Sequence, residues 1–259
     1  MRRGSPATAS PARQAAADPP AEARQAPTAA DFYAVNRGGG LYSEAVSQRL
    51  GAQFAVLAHR LGLAPSAVTL INLVLGLAAS ALLVVFAPAA ARGDLPAWLL
   101  GLVALVAWQV AYSLDCADGQ LARVTGAASP AGARVDILSD VAVQISLVTA
   151  IGAIAEAHRE STPAWLVALF AGTWMVNLVT SVLAGGANAA SLVNSSSLPV
   201  RVIKLIRDYG AVVLVCGLVL AFVPAATVWL MVAFTVVNGG FLLVSIAAST
   251  RTGITAARR

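Results

Sequence analysis

SLDCADGQLARVTGAASPAGARVDILSD, Ser113 to Asp140, is the stretch whose reading decides the fold. It holds Asp115, Asp118, Asp136 and Asp140, a third of the twelve acidic residues in the chain, with long apolar runs on both sides. Asp115 and Asp118 are three residues apart, and Asp136 and Asp140 are four apart. On helices, either spacing sets two carboxylates on one face. The pattern predicts one apolar span ending at Asp115 and Asp118, a turn around Ala127 to Pro130, and a second span opening at Asp136 and Asp140.

The composition of the whole chain indicates that lipid is the solvent for these helices. Of its 259 residues, 58% are hydrophobic and 11% are charged, against about 25% charged in a soluble domain. The mean hydropathy is +0.78. An all-α, polytopic integral membrane protein is expected. The apolar runs give six spans: Val68 to Phe86, Leu95 to Leu114, Asp136 to Ala155, Pro163 to Leu183, Tyr209 to Val223 and Ala225 to Ala247. The fifth is short for a crossing, which takes about 20 residues, and Pro224 breaks a tight hairpin after it. Five spans is the rival count.

Ahead of the spans, Leu41 to Leu61 has apolar residues at helical spacing, with Arg49, Gln53, His59 and Arg60 between them. It reads as an interfacial amphipathic helix. Gly38 to Gly40 form a joint before it, and Pro65 marks the break after it. Residues 1–30, rich in Ala, Pro and Arg, read as a disordered cytoplasmic tail with no secretory h-region. The domain plan is a tail over 1–30, a linker and interfacial helix over 31–66, a six-helix catalytic domain over 67–250, and a C-terminal tail over 251–259.

Charge sets the expected orientation. In a six-span topology, fifteen of the seventeen basic residues share one side, leaving Arg92 and Arg159 on the other. The positive-inside rule puts both termini and the Asp-rich turn in the cytoplasm, and the cell membrane is the expected location. A net charge of +5 could also attract nucleic acid, but the basic residues follow a membrane face without interleaved aromatics, so no nucleic-acid partner is expected. Cys116 and Cys216 make no disulfide framework or metal-finger spacing; Cys116, between two aspartates, reads as a small helix residue.

Four carboxylates near lipid are costly singly and repel one another together. Divalent cations resolve both problems, since Mg²⁺ and Mn²⁺ prefer carboxylate oxygens. Two facing pairs can build a two-metal site, which suits phosphoryl transfer. Gly119 and Ala122 keep one helix face small, Arg123 is placed either to bind a phosphate or to pair with an aspartate, and Gly132 permits close contact on the return. Ser113, Gln120 and Arg134 are nearby polar residues with weaker claims.

Asp115-x-x-Asp118-Gly119-x-x-Ala122-Arg123, then eight residues, then Gly132-x-x-x-Asp136-x-x-x-Asp140 resembles the signature of the CDP-alcohol phosphatidyltransferases. The resemblance covers residues 41 to 250. It implies six membrane helices behind an interfacial helix, a homodimer, and transfer of a substituted phosphoryl group, commonly phosphatidyl, from a CDP-linked donor to an alcohol with release of CMP. CDP-diacylglycerol is the donor expected, and a soluble CDP-alcohol is the other class. By that likeness Asp115, Asp118 and Asp136 hold the metals, and Asp140 assists the second metal and acts as base. Gly119, Ala122, Arg123 and Gly132 shape the CDP pocket. Pro65 to Asn72, PSAVTLIN, also looks like the family's opening of its first span, with Thr69 and Asn72 either facing the pocket or bonding between helices.

The acceptor is an alcohol or polyol whose identity stays open. Arg201, Lys204 and Arg207, at three-residue spacing before the fifth span, are candidates for an acceptor phosphate or an anionic lipid. Relatives that use inositol phosphate carry a charged stretch at the end of the fourth span, where this chain has the uncharged Leu178 to Ser191. The rival class is a divalent-cation transporter or channel. It predicts polar residues deep in several spans, for which Gln144, Asn177 and Asn238 are the candidates.

Overall fold

The computed structural model describes residues 26–184, 205 and 208–257. Every regular element among them is helical: α1 (Ala29–Ala34), α2 (Gln48–Arg60), α3 (Pro65–Ala91), α4 (Ala97–Thr125), α5 (Pro130–His158), α6 (Ala164–Ala184), α7 (Tyr209–Phe222) and α8 (Thr227–Ala257). A π-helical turn, Ser43–Ser47, leads into α2, and a 3-10 turn, Pro224–Ala226, joins α7 to α8. The all-α expectation holds.

Four stretches, Pro65–Ala91, Ala97–Thr125, Pro130–His158 and Pro224–Val244, are long and apolar enough to cross a membrane. The helices α6 and α7 are also apolar, and α7 has 14 residues, about 21 Å at 1.5 Å per residue. The six apolar helices read from the sequence are therefore present. Large apolar side chains point outward along them, including Val74, Val85, Val106, Trp165, Val236 and Leu243. Water would not tolerate so continuous an apolar surface, and the protein is an integral membrane protein.

The helices run further than the apolar stretches do. α4 continues past Leu114 to Thr125, and α5 begins at Pro130, ahead of Asp136. Polar residues do not stop a helix unless they supply a cap, so the ends are set by the turn chemistry. Gly126, at φ +70°, closes α4 in the left-handed region. The Ser129 hydroxyl accepts from Gly132 N at 3.0 Å and caps α5, with Pro130 in its first turn. The aspartates thus sit inside helices, on rigid backbone, and Gly126 to Ser129 make the turn.

α3, α4 and α5 form the central bundle. A Cβ on Gly76 would come within 2.8 Å of Val143 Cγ1, so this glycine sets the close approach of α3 to α5. Trp108 Nε1 donates to Ser80 Oγ at 3.1 Å, and Ser146 Oγ donates to the same oxygen at 3.0 Å, which ties the three helices at mid-height. α7 packs on α4 through Gly101, where a Cβ would lie 2.5 Å from the backbone of Ala221. α6 and α8 pack through Phe170, Trp174 and Phe234, with ring centroids 5.3 to 6.4 Å apart. Arg92 pairs with Asp94 at 2.9 Å in the turn between α3 and α4, and Arg159 lies 5.9 Å over the Trp229 ring. Both arginines stand at the helix ends away from the aspartates, as the charge pattern predicts.

The amphipathic helix has two faces in use. Gly51, Ala52, Ala55 and Ala58 of α2 are buried, and a Cβ on Gly51 would meet Ser113 O at 2.8 Å and Cys116 Cβ at 2.9 Å on α4. Cys116 is thus part of a close helix seam, in keeping with its small size. Leu50, Leu57 and Leu61 point away and are exposed. Packing on the protein and a lipid-facing surface coexist in this element. Gly62, at φ +66°, ends it, with Leu63 N donating to Ala58 O at 2.9 Å.

α1 is a six-residue element that the sequence pattern did not reveal, because one turn and a half is too short to show a period. Asp31 accepts from Thr28 N at 2.8 Å and from Thr28 Oγ1 at 2.6 Å. The side-chain bond from Thr28 leads in holding the Asp31 carboxyl below its ordinary range. Phe32 is fully buried against Ala52, Ala55, Leu121 and their neighbours.

A buried carboxylate joins the interfacial segment to the bundle. Asp208 is 4% exposed and caps α7, accepting from Gly210 N at 3.2 Å. It also accepts from Tyr42 N at 2.8 Å, Ser43 N at 3.0 Å and the Ser43 hydroxyl. Any side chain on Gly40 would collide with it. Asp208→Ala removes the acceptor of the Tyr42, Ser43 and Gly210 amides, each worth about 1–3 kcal/mol when buried and unpaired. A fall in thermal midpoint on the order of 5 °C or more is expected in detergent, read by tryptophan fluorescence; an unchanged midpoint would contradict this role.

Candidate active site

Helix register brings the acidic pairs together. Asp115 and Asp118 occupy one face of α4, and Asp136 and Asp140 one face of α5; four residues connect the two helices, and both pack on α3. One carboxylate oxygen from each of Asp115, Asp118 and Asp136 lies within 4.8 Å of the others. Asp115 also makes side-chain contact with Asp140. All four predicted aspartates are in one cluster.

α3 supplies the supports. Thr69 Oγ1 donates to Asp118 Oδ2 at 2.5 Å, and Asn72 Nδ2 donates to Asp115 Oδ1 at 3.4 Å. Both α3 residues are buried, at 4% and 2% exposure. They face the cluster, so the first span contributes to the site through polar side chains one turn apart. These bonds fix carboxylate orientation and leave the remaining oxygens for another partner.

A cavity of about 170 Å³ opens beside the cluster. Its wall carries Gly119, Ala122, Arg123 and Gly132, the four residues predicted to shape a donor pocket, together with Asp118 and Asp136. Thr69, Pro65 and Ser129 complete the α3 and turn sides. Gly119 has a spatial reason: a Cβ there would lie 3.1 Å from both Nη atoms of Arg123, whose guanidinium lies across it. Arg123 Nε is buried and has no hydrogen-bond partner. The pocket therefore combines acids on one part of its wall with an unfulfilled cationic donor on another. That is the chemistry of a site for an anion carried with hard cations.

The donor set fits Mg²⁺ or Mn²⁺. Carboxylate oxygens within a few ångströms of one another repel unless a cation lies between them, and these ions take oxygen ligands in preference to nitrogen or sulfur. The acidic cluster that could bind metal is Asp115, Asp118 and Asp136, with Asp140 adjoining.

The remaining predicted residues fall as follows. Arg134 is exposed on α5. Ser113 Oγ donates within its own helix to Gln109 O at 2.8 Å. Gln120 is fully buried and donates to Asn36 Oδ1 at 2.9 Å and Gln48 O at 3.0 Å, so it anchors the N-terminal segment and not the acids. Arg201, Lys204 and Arg207, and the stretch between α6 and Leu205, lie outside the described residues. Of the polar residues expected for a transport path, Gln144 accepts from Trp174 Nε1 at 3.1 Å and is occupied in helix packing. Asn238 is buried in α8, and the Asn177 side chain lies outside the described residues.

Three residues near the site were not singled out from the sequence. Tyr112, one turn before Asp115, hydrogen-bonds Ser43 Oγ at 2.9 Å. Tyr209 of α7 meets the Tyr112 ring edge-on at 4.8 Å and lies within electrostatic reach of Asp140 and Asp115. Asp208 is the third. The sequence signal for Asp208 and Tyr209 is an N-cap aspartate followed by an aromatic at the start of a span.

The profile described as CDP-alcohol phosphatidyltransferase matches residues 62–238. The chain belongs to this family. The CDP-alcohol phosphatidyltransferase match begins at Gly62, at the end of α2, and runs into α8, so it takes in the acids, Thr69, Asn72 and the pocket wall. Over 108 residues, 41% of this chain, the protein is 35% identical to Cholinephosphotransferase 1 of Xenopus laevis. That stretch covers 25% of the relative, so the likeness spans about a quarter of its length. α1, the glycine joint and α2 precede the family match.

Proposed function

We propose that the protein transfers a substituted phosphoryl group from a CDP-linked donor to an alcohol, with release of CMP. The observation that carries this is the junction of the carboxylate cluster with the small-residue cavity holding the unpartnered Arg123 Nε. A nucleoside diphosphate presents hard anionic oxygens to metals and a surplus of charge to a guanidinium.

Asp115, Asp118 and Asp136 would hold two Mg²⁺ or Mn²⁺ ions, with Asp140 assisting the second. When bound, the ions neutralise charge on the diphosphate and on the departing CMP. Gly119, Ala122 and Gly132 let the donor approach helix backbone, and Arg123 meets a phosphate. Thr69 and Asn72 hold Asp118 and Asp115 in orientation. Asp140 accepts the proton of the acceptor hydroxyl as its oxygen attacks phosphorus; the bond from that phosphorus to the CMP oxygen breaks in the same displacement. The helical setting of every acid keeps these distances fixed through the reaction.

CDP-diacylglycerol is the donor we favour, with an alcohol or polyol accepting the phosphatidyl group. The likeness to a cholinephosphotransferase supports a second reading, in which a soluble CDP-alcohol donates and a lipid hydroxyl accepts. The active site and both termini lie on the cytoplasmic side of the cell membrane in this account, following the arginine distribution. The enzyme works as a homodimer, as the family resemblance suggests.

The test is a product screen. Purified protein is incubated with CDP-diacylglycerol and a panel of polyols and their phosphates, and with CDP-choline or CDP-ethanolamine and diacylglycerol, followed by mass analysis. A new phosphodiester with stoichiometric CMP is expected from one arm. CMP release from neither donor class would overturn the reading.

A further inference from the structure

A second guanidinium lies near Arg123, on a segment outside the family match. Arg37 lies between α1 and the π-helical turn. Its neighbours are pinned on both sides. Asn36 Oδ1 accepts from Gln120 Nε2 at 2.9 Å, and Gly38 O accepts from Gln48 Nε2 at 2.7 Å. Gly38 and Gly39 take φ of +72° and +144°, which turns the chain sharply here. Gln120 stands one helical turn before Arg123 on α4, so the Asn36–Gly38 segment lies beside the turn that carries Arg123. Arg37 is exposed, and its charge is within electrostatic reach of the Arg123 guanidinium.

Two cations are thus brought together by polar contacts that have nothing to do with either charge. Among the described residues, the ion pair formed is Arg92 with Asp94, and neither Arg37 nor Arg123 takes part in one. Asp118 and Asp136 also face Arg123, but both belong to the acidic cluster and are committed there if it holds cations. Neighbouring like charges repel, and an anion between them relieves the repulsion. The guanidinium fork matches phosphate oxygens in pairs, and Arg123 Nε is buried and waiting for an acceptor.

We propose that Arg37 is a donor-binding residue that acts with Arg123 on the diphosphate of a nucleoside-diphosphate-linked donor. The proposal rests on the CDP-donor reading above and adds to it a contact from the chain ahead of the membrane domain. An exposed side chain on a pinned segment can close over a bound donor without rearranging the helices.

Equilibrium binding of cytidine, CMP and CDP to purified protein, measured by calorimetry with Mn²⁺ present, tests it. Arg37→Ala should weaken CDP binding about 10-fold, leave cytidine binding unchanged and keep the wild-type thermal midpoint. Arg37→Lys should recover part of the loss, since it restores the charge without the fork. In turnover, Arg37→Ala should raise the donor KM and leave the acceptor KM alone. Unchanged CDP affinity in Arg37→Ala would overturn the proposal, and so would an equal loss for cytidine and CDP, which would mark a packing role. Wild-type protein that binds no CDP would overturn the donor reading itself and this contact with it.

Discussion

Asp140→Asn is expected to cut CMP release about 10³-fold, within the range of roughly 10²–10⁴ that a positioned general base contributes. The amide is nearly the same size, and α5 carries the residue in its interior, one turn after Asp136, so folding and membrane insertion should survive. What the change removes is the ability to take the acceptor proton. Asp140 is suited to this task by position. It touches Asp115 but is not on the wall of the cavity that Asp118, Asp136 and Arg123 share, which leaves it for a second substrate arriving from another direction. Single-turnover measurement at saturating donor isolates the chemical step, and Asp140→Ala should match Asp140→Asn. Turnover like that of the wild type in either variant would remove Asp140 as the base.

Asp118→Asn and Asp136→Asn are expected to act earlier, on metal binding. Each removes one of three carboxylates whose oxygens lie within 4.8 Å of one another. Changes even in the groups that support a metal ligand cost about 10–100-fold in affinity, and loss of a ligand charge should cost at least that. Titration of Mn²⁺ followed by electron paramagnetic resonance reads the free ion directly, without substrate. Thr69→Val, which deletes the donor to Asp118 and keeps its size, should give a smaller loss of about 10-fold. Mn²⁺ affinity in Asp118→Asn equal to that of the wild type would show that the cluster does not hold the ion.

The parts legible in the sequence were those with a period or a spacing. The apolar runs gave the six helices, and the arginine asymmetry placed Arg92 and Arg159 at the far turns. The aspartate spacings, with Gly119 and Gly132, marked a cluster and a pocket that the helix register does bring together. The helices extend beyond the apolar spans because hydropathy marks lipid contact and not hydrogen bonding: α4 continues through Asp115 and Asp118 until Gly126 supplies a left-handed cap. α1 was hidden by its length. Asp208 and Arg37 were hidden for another reason. Their partners, Ser43 and Tyr42 for one and the Arg123 turn for the other, are distant in sequence, and nothing local marks which single polar residues will meet across a fold. Thr69 and Asn72 lie between these cases, since their one-turn spacing fits either a pocket or a helix contact until α3 is docked on α4.

The most direct measurement is divalent-ion dependence of CMP release from a CDP-linked donor by the purified protein. After chelation and removal of the chelator, release should fall to background, and Mg²⁺ or Mn²⁺ should restore it in the wild type but not in Asp118→Asn. Full turnover by rigorously metal-free protein would contradict the central claim that the four aspartates form a metal cradle for phosphoryl transfer.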